Sequence, residues 1–406
     1  SPYLPIFHIH VLKYYLIYDC LIFLVMGSDW KIPLYKVYSD DDEIKIVTDV
    51  IKRGTFWAIG PEIEQFEKEI SNYVEANYCV TFNSGTSALH ASMIANGIKP
   101  QDEVIVPSFS FISTANSVLF VDAKPIFSDI ENTNIGLDPN LILEKITDKT
   151  KAILPMDYGG LPCKINELRK ICDDNNLILI EDAAESIGSS VNGKKIGSIS
   201  DSTIFSFCGN KVMTTGEGGA VVTNSKEIYE KLKLIRSHGR VDKNSYFDNP
   251  LESDYEHLGY NWRMSSITAA LGLAQIRKLD KLINLRRNIA SFFSSSFSKI
   301  PQITLPPSPD GYEHVFQMYP IRLPDKSTRD ALQQFLIQKK IFSKVYFSPI
   351  HLREFYKKKF SSQKNSLPVT ENISDTILTL PIYPGMTNEE QNYLVNSVNE
   401  FFELNS

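Results

Sequence analysis

Short apolar runs and longer polar-interrupted stretches alternate along most of the chain. Runs rich in β-branched and aromatic residues stand at 103–107 (EVIVP), 124–130 (KPIFSDI), 151–158 (KAILPMDY), 177–185 (LILIEDAAE), 202–209 (STIFSFCG) and 219–225 (GAVVTNS). They are nearly continuous in apolar character, which predicts strands covered on both faces in a mostly parallel sheet. Between several of them lie helical patterns such as INELRKICDDNN (165–176), with apolar positions three and four apart. Strands alternating with helices predict an α/β layered domain. In such sheets ligands sit at the carboxyl ends of the strands, which draws Asp182, Glu185, Ser206 and Lys211 into one list of candidates.

The texture changes towards the C-terminus. Residues 258–293 read as a loop followed by one long helix, and STRDALQQFLIQKKI reads as a further helix after a proline-rich stretch with strands. The predicted organisation is a large domain over 26–284 with an N-terminal arm, and a small α+β domain over 285–406. The first 25 residues are strongly apolar but interrupted by Lys13, Asp19 and two histidines, a poor membrane span and a poor signal peptide. The natural protein is expected to begin at Met26, and residues 1–25 are given no function.

Composition narrows the class. With 406 residues, 43% of them hydrophobic, the chain can bury a large core. A net charge of −6, with no block of Lys or Arg, argues against nucleic acid as a partner. The five cysteines are odd in number and form neither a CxxC pair nor a cluster with histidine, so neither a disulfide framework nor a metal site is expected. A reducing cytoplasm fits this usage.

Three stretches carry chemistry. In FNSGTSALHASMIANG (82–97), Ser84, Gly85 and Thr86 precede an amphipathic helix, whose N-terminus is a ready site for a phosphate. Capping alone would also place Ser84 or Thr86 there. Asp182 follows four apolar residues, where a carboxylate needs a partner; a cationic ring nitrogen is one, and a capped turn is the plainer use. Lys211 lies in SFCGNKVMTTGEGGAVVTNS (206–225), between two buried-looking strands. A buried lysine must be paired or neutralised, and a neutral amine can condense with an aldehyde. A phosphate cradle, a carboxylate for a pyridinium nitrogen and such a lysine are the parts that pyridoxal phosphate needs. No GxGxxG follows the first strand of a βαβ unit, which excludes a Rossmann nucleotide module.

The stretches EDAAES, SFCGNKVMTTGEGGAVVTN, LGYNWRMSSITAALGLAQ, GPEIEQFEKEI, NSGTSALH, VIVPSFSFISTAN and LPIYPGMTNEE together resemble the DegT/StrS family of sugar aminotransferases, from about Ile32 to near the C-terminus. The resemblance implies the pyridoxal-phosphate-dependent transferase fold of type I. It makes Lys211 the Schiff-base lysine and Asp182 the partner of the pyridine nitrogen. It places Phe111 on the cofactor ring, although Phe111 could equally be a core aromatic. Gly85, Thr86 and Ser206 would bind the phosphate, and Glu185 would stand near the ring hydroxyl. Asn261 would reach the phosphate of a neighbouring subunit, making a homodimer with shared sites; its plainer reading is a turn residue. His351 resembles a position near the sugar pocket, or is a structural histidine. The implied reaction moves an amino group from L-glutamate to a nucleotide-linked keto sugar in the cytoplasm, with no membrane or nucleic acid involved. Glu185 points to the branch that aminates GDP-4-keto-6-deoxy-D-mannose. A UDP- or dTDP-linked keto sugar, or a regulatory protein that binds the cofactor without turnover, are the alternatives.

Overall fold

The computed structural model describes residues 30–241, 254–361 and 366–404. The apolar extension and the start expected at Met26 lie outside the described residues. Seven strands form the main sheet: β1 (Tyr78–Phe82), β2 (Glu103–Pro107), β3 (Lys124–Ser128), β4 (Thr150–Ile153), β5 (Ile178–Asp182), β6 (Ser202–Ser206) and β7 (Gly219–Thr223). Their order is β1-β7-β6-β5-β4-β2-β3. Only β7 runs against its neighbours, pairing antiparallel with both β1 and β6, while the pairs from β6 through β3 are parallel. The sheet is mostly parallel and mixed, as the continuous apolar runs predict. β1 was not among the predicted runs, and β4 stops before Pro155.

Both faces are covered, and alternate strand residues serve different layers. Ile105, Ile153, Leu179, Phe205 and Val222 pack against α2 (Pro61–Tyr73), α5 (Ile165–Asn175) and α7 (Ser266–Ile276). Here α1 is Asp41–Arg53. Val104, Val106, Ala152, Ile180, Ile204 and Val221 pack against α3 (Gly85–Ala95), α4 (Ile112–Leu119) and α6 (Lys226–Arg236). Two-sided burial is the reason these strands carry no polar alternation.

The single helix expected within 258–293 is two. α7 ends at Ile276 and α8 (Leu279–Phe297) begins after a break at Arg277 and Lys278. The Lys278 ammonium donates to Glu43 Oε2 at 3.1 Å and also pairs with Asp40, so the break is tied to the acidic start of α1. The periodicity of the sequence continues across this point, and the ion pairs that interrupt it come from a distant part of the chain.

The two cores change over inside α8. Leu279, Leu282 and Ile283 belong to the large core; Ile289, Ala290, Phe293 and Phe297 belong to the small one. The latter is closed by an antiparallel pair, β8 (Tyr319–Arg322) with β9 (Ile377–Leu380), and by helices α9 (Lys326–Gln338) and α10 (Asn388–Leu404). Ile32 packs in this small core, with its N–H donating to the Lys340 carbonyl at 3.2 Å, so the described chain starts on the small core before α1 packs, through Ile46, on the large one. Among the described residues, no helix is long and apolar enough to cross a membrane.

Helices α2 and α7 meet closely because α7 presents Gly272. A Cβ there would stand 2.5 Å from the ring of Phe66, which is fully buried and 5.5 Å from the Phe207 ring. Gly272→Ala is therefore expected to overpack this contact, lowering stability by about 1–3 kcal/mol in a denaturant titration despite the better helix propensity of alanine. An unchanged or raised midpoint would show that the ring moves aside freely.

Candidate active site

The parallel strands deliver their carboxyl ends to one edge of the sheet, and the antiparallel β7 begins there. Gly219, its first residue, lies opposite both Phe82 and Ser206. The chain leaves β1 through Asn83 and enters α3, whose N-cap is Ser84: the Ser84 hydroxyl accepts from the Ser87 N–H at 3.1 Å. Capping is thus the work of Ser84. Thr86 shares a hydrogen bond with Ser113 at 2.9 Å. Among the described residues, no protein acceptor takes the N–H groups of Gly85 and Thr86.

The backbone at this end is closely packed. A Cβ on Gly85 would meet Ser206 Cβ at 2.9 Å and Oγ at 3.1 Å, and one on Gly219 would meet the Ser84 carbonyl oxygen at 2.6 Å. Free N–H groups at a helix start, beside a hydroxyl and walled by glycines, suit a phosphate group. Gly85, Thr86 and Ser206 are therefore brought together, as the sequence predicts.

Asp182 ends β5 and is 4% exposed. Its Oδ2 accepts from the Thr114 hydroxyl at 2.6 Å, and its Oδ1 from the Ala184 N–H at 3.2 Å. The turn-capping role and the buried-acceptor role are both present in one side chain. Burial pushes the carboxyl above its ordinary range, against the pull of Thr114, Ala184 and the Lys211 charge. Among the described residues no cation forms an ion pair with it. A buried carboxylate in this condition is suited to a cationic ring nitrogen.

Lys211 lies in the connection between β6 and β7. That connection is held by Phe207 N–H to the Gly218 carbonyl (2.9 Å), Thr215 N–H to the Phe207 carbonyl (2.9 Å) and Lys211 N–H to the Cys208 carbonyl (3.0 Å). Gly216, at φ +81°, allows the chain to turn back. The Lys211 Nζ is 3.3 Å from Glu185 Oε1, with the two side chains 13% and 5% exposed. Glu185 Oε2 accepts from the Gly159 N–H at 2.9 Å. Glu185 does not face solvent; it is the ionic partner that a half-enclosed lysine requires.

Phe111 follows β2 and is 57% exposed, with its ring centroid 6.4 Å from that of Phe347. The core-aromatic alternative does not describe it. A large exposed ring at the strand ends suits stacking on a planar ligand.

Asn261 and His351 stand apart from this group. Tyr260 and Trp262 stack on each other at 3.8 Å and contact the ring of His90, so alternation turns Asn261 outwards, where it is exposed. His351 is 1% exposed. It shares a 2.6 Å hydrogen bond with Ser108 at Nδ1 and faces Glu371 at 3.3 Å through Nε2. Both ring nitrogens have partners inside the protein, which is the structural use of histidine that the sequence also allowed. Burial lowers its proton affinity, with Glu371 opposing.

Sequence reasoning missed Thr114 and Gly159. Thr114 sits one helical turn beyond Phe111, and its neighbour Ser110 shares a 2.6 Å hydrogen bond with it. The i, i+4 spacing of the two hydroxyls in SFISTAN was the available signal.

The mixed α/β sheet, with these groups gathered at one edge, has the architecture of pyridoxal-phosphate-dependent transferases of fold type I. More narrowly, the chain belongs to the DegT/DnrJ/EryC1/StrS aminotransferase family, whose profile matches residues 37–399. GDP-perosamine synthase of Vibrio cholerae is 34% identical over 373 residues, 91% of this chain and 99% of that protein. Helicobacter pylori PseC, an aminotransferase of pseudoaminic acid biosynthesis, matches with a TM-score of 0.86 at 28% identity, over 92% of this chain and 99% of its own. Spr1654 of Streptococcus pneumoniae, solved in its PLP form, matches with a TM-score of 0.86 at 26% identity, over 92% of this chain and 98% of its own. The protein is a sugar aminotransferase, and its cofactor is pyridoxal 5'-phosphate.

The cradle supplies a test of cofactor binding that is independent of turnover. Gly85→Ala would push a methyl group into Ser206 and the space above the helix start. Its affinity for pyridoxal phosphate, measured by reconstituting the apoprotein, is expected to fall about tenfold or more, equivalent to about 1.4 kcal/mol. Unaltered affinity would remove this helix start from the phosphate site.

Proposed function

We propose that the enzyme moves an amino group from L-glutamate to the C4 ketone of a nucleotide-linked 4-keto-6-deoxy sugar, with GDP-4-keto-6-deoxy-D-mannose as acceptor and GDP-perosamine as product. The observation that carries the amino-transfer part is the placement of Lys211 against Glu185, with Asp182 at the end of the adjacent strand. The choice of acceptor is supported by 34% identity to GDP-perosamine synthase along almost the whole chain.

In this reading Lys211 would hold the cofactor and, as a free amine, move protons. Bound pyridoxal phosphate supplies the electron sink and carries the amino group between the two substrates. Gly85, Thr86 and Ser206 hold the phosphate, and Phe111 covers the ring face. Asp182 holds the ring nitrogen's proton by its negative charge, with Thr114 fixing the carboxylate. The Lys211 amine would take a proton from the donor Cα as a general base and return it, as a general acid, at the cofactor carbon bonded to the transferred nitrogen. Glu185 keeps the Lys211 ammonium in place when the amine is free and protonated. Asn261 is exposed, and in this reading it would reach the cofactor phosphate of a second copy, making the working enzyme a homodimer, with the cytoplasm as its expected location.

Lys211→Ala is expected to lower the rate of amino transfer from glutamate by about a thousandfold or more. Asp182→Asn is expected to cost about a hundredfold with the cofactor still bound. Near-normal rates in either variant would remove that residue from its role. The acceptor is tested by colour: glutamate bleaches the yellow holoenzyme, excess is removed, and keto sugars are added separately. Return of colour with GDP-4-keto-6-deoxymannose, and not with UDP- or dTDP-linked 4-keto sugars, is expected. Return with a UDP- or dTDP-linked sugar alone would reassign the acceptor, and failure of glutamate to bleach the protein would point to another amino donor or to a regulatory protein.

A further inference from the structure

Behind Asp182 lies a second set of carboxyl groups that the reaction does not use. Glu181 precedes Asp182 on β5 and therefore points to the opposite side of the strand. Glu181 and Asp157 are both fully buried, and a carboxylate oxygen of each lies within 4.8 Å of the other and of Cys163 Sγ. Asp157 is tied to the active site through its backbone, its N–H donating to the Asp182 carbonyl at 3.1 Å.

The hydrogen bonds of the two carboxyl groups differ. Asp157 Oδ1 accepts from the Cys163 N–H at 2.8 Å and Oδ2 from the Ser186 hydroxyl at 2.6 Å. Glu181 Oε2 accepts from the hydroxyls of Ser200 at 3.0 Å and Thr203 at 2.9 Å. Glu181 Oε1 has no partner. Among the described residues, no cation pairs with either group. The other titratable groups facing the pair are Asp182 and the Cys163 thiol; Lys211 and Glu185 act on Asp182 in turn.

Two adjacent carboxylates in a desolvated site do not both ionise, and a third behind them adds to the repulsion. An ionised Oε1 would be buried with no donor to accept from, on a carboxylate that lies close to a second acid. A proton on that oxygen turns it into a donor and relieves the clash. We infer that Glu181 and Asp157 share one proton, held on Glu181 Oε1, so that the pair carries a single negative charge behind Asp182. Both are then positioning residues: they keep Asp182 free to remain an anion, and this consequence rests on the proposed role of Asp182. Burial raises both groups, Asp157 to about 6 and Glu181 well above the ordinary carboxyl range.

A carboxyl group raised in the folded protein contributes stability that is fully present below its unfolded value, about 4.3 for glutamate, and lost as pH rises towards its folded value. Glutamine resembles the protonated acid and cannot ionise. The melting temperature of Glu181→Gln holoenzyme, relative to wild type, is therefore expected to rise by about 2–6 °C between pH 5 and 8. A flat or falling difference would overturn the shared proton. Infrared spectra of wild-type holoenzyme in heavy water at pH 7.5 test it without any variant: a protonated-carboxyl carbonyl band supports it, and its absence overturns it. One equivalent of a divalent metal per chain in the purified protein would also overturn it, because the same three ligand atoms would then hold a cation. For the positioning role, Glu181→Ala is expected to weaken pyridoxal phosphate binding about tenfold, with Glu181→Gln restoring it; equal affinities in both would reduce the pair to a packing feature. Because the melting and infrared readouts do not involve amino transfer, failure of the shared proton is distinguishable from failure of Asp182 in catalysis.

Discussion

One buried carboxylate organises this active edge. In its proposed role Asp182 stays charged while nine-tenths or more of its surface is removed from water, and burial works against that. The protein answers with short, fixed donors: the Thr114 hydroxyl from the start of α4 and the Ala184 N–H from the turn after β5. It withholds a permanent cation. A lysine or arginine salt-bridged to Asp182 would stabilise the fold and cancel the negative potential that a pyridinium needs. Among the described residues the cation that acts on Asp182, Lys211, is instead paired with Glu185.

The fold follows from the need to bring such groups to one line. Parallel strands deposit Pro107, Asp182 and Ser206 on the same edge, and reversing β7 alone returns the chain to that edge at Gly219. The reversal is what permits a hairpin-like connection carrying Lys211, since a parallel successor would need a long crossover. The glycines have a matching purpose. Gly219 admits the start of α3 against the sheet, and Gly85 leaves room beside Ser206, so the helix start and the strand ends meet at backbone distance.

Much of this was legible because burial on both faces writes itself plainly into sequence. EVIVP and GAVVT read as covered strands since no solvent face exists to demand polar residues. Lys211 and Asp182 were legible for the opposite reason, as ionisable groups where apolar residues were due. What escaped depends on distant partners. The break at Lys278 is made by Asp40 and Glu43, more than two hundred positions away in the chain. The change of core within α8 leaves no mark because both cores accept the same apolar stripe. Thr114 looks like any small residue at a helix start until Asp182 is placed beside it. His351 shows the converse: a polar residue with an apparently chemical position whose nitrogens are taken by Ser108 and Glu371.

The pairing of Lys211 with Glu185 also bears on why lysine is tolerated there at all. In the proposed role the Lys211 amine alternates between a bond to the cofactor and a free, protonated state, and needs an environment that accepts both. A purely apolar pocket would penalise the ammonium, and a strong bidentate partner would resist its release. A 3.3 Å contact to one oxygen of a carboxylate is intermediate. The Gly159 N–H holds the other oxygen, so Glu185 is not drawn wholly towards the lysine. The carboxylate is thereby fixed by the backbone and can lose its ionic partner without moving, which is the condition a residue beside a reversible anchor has to meet.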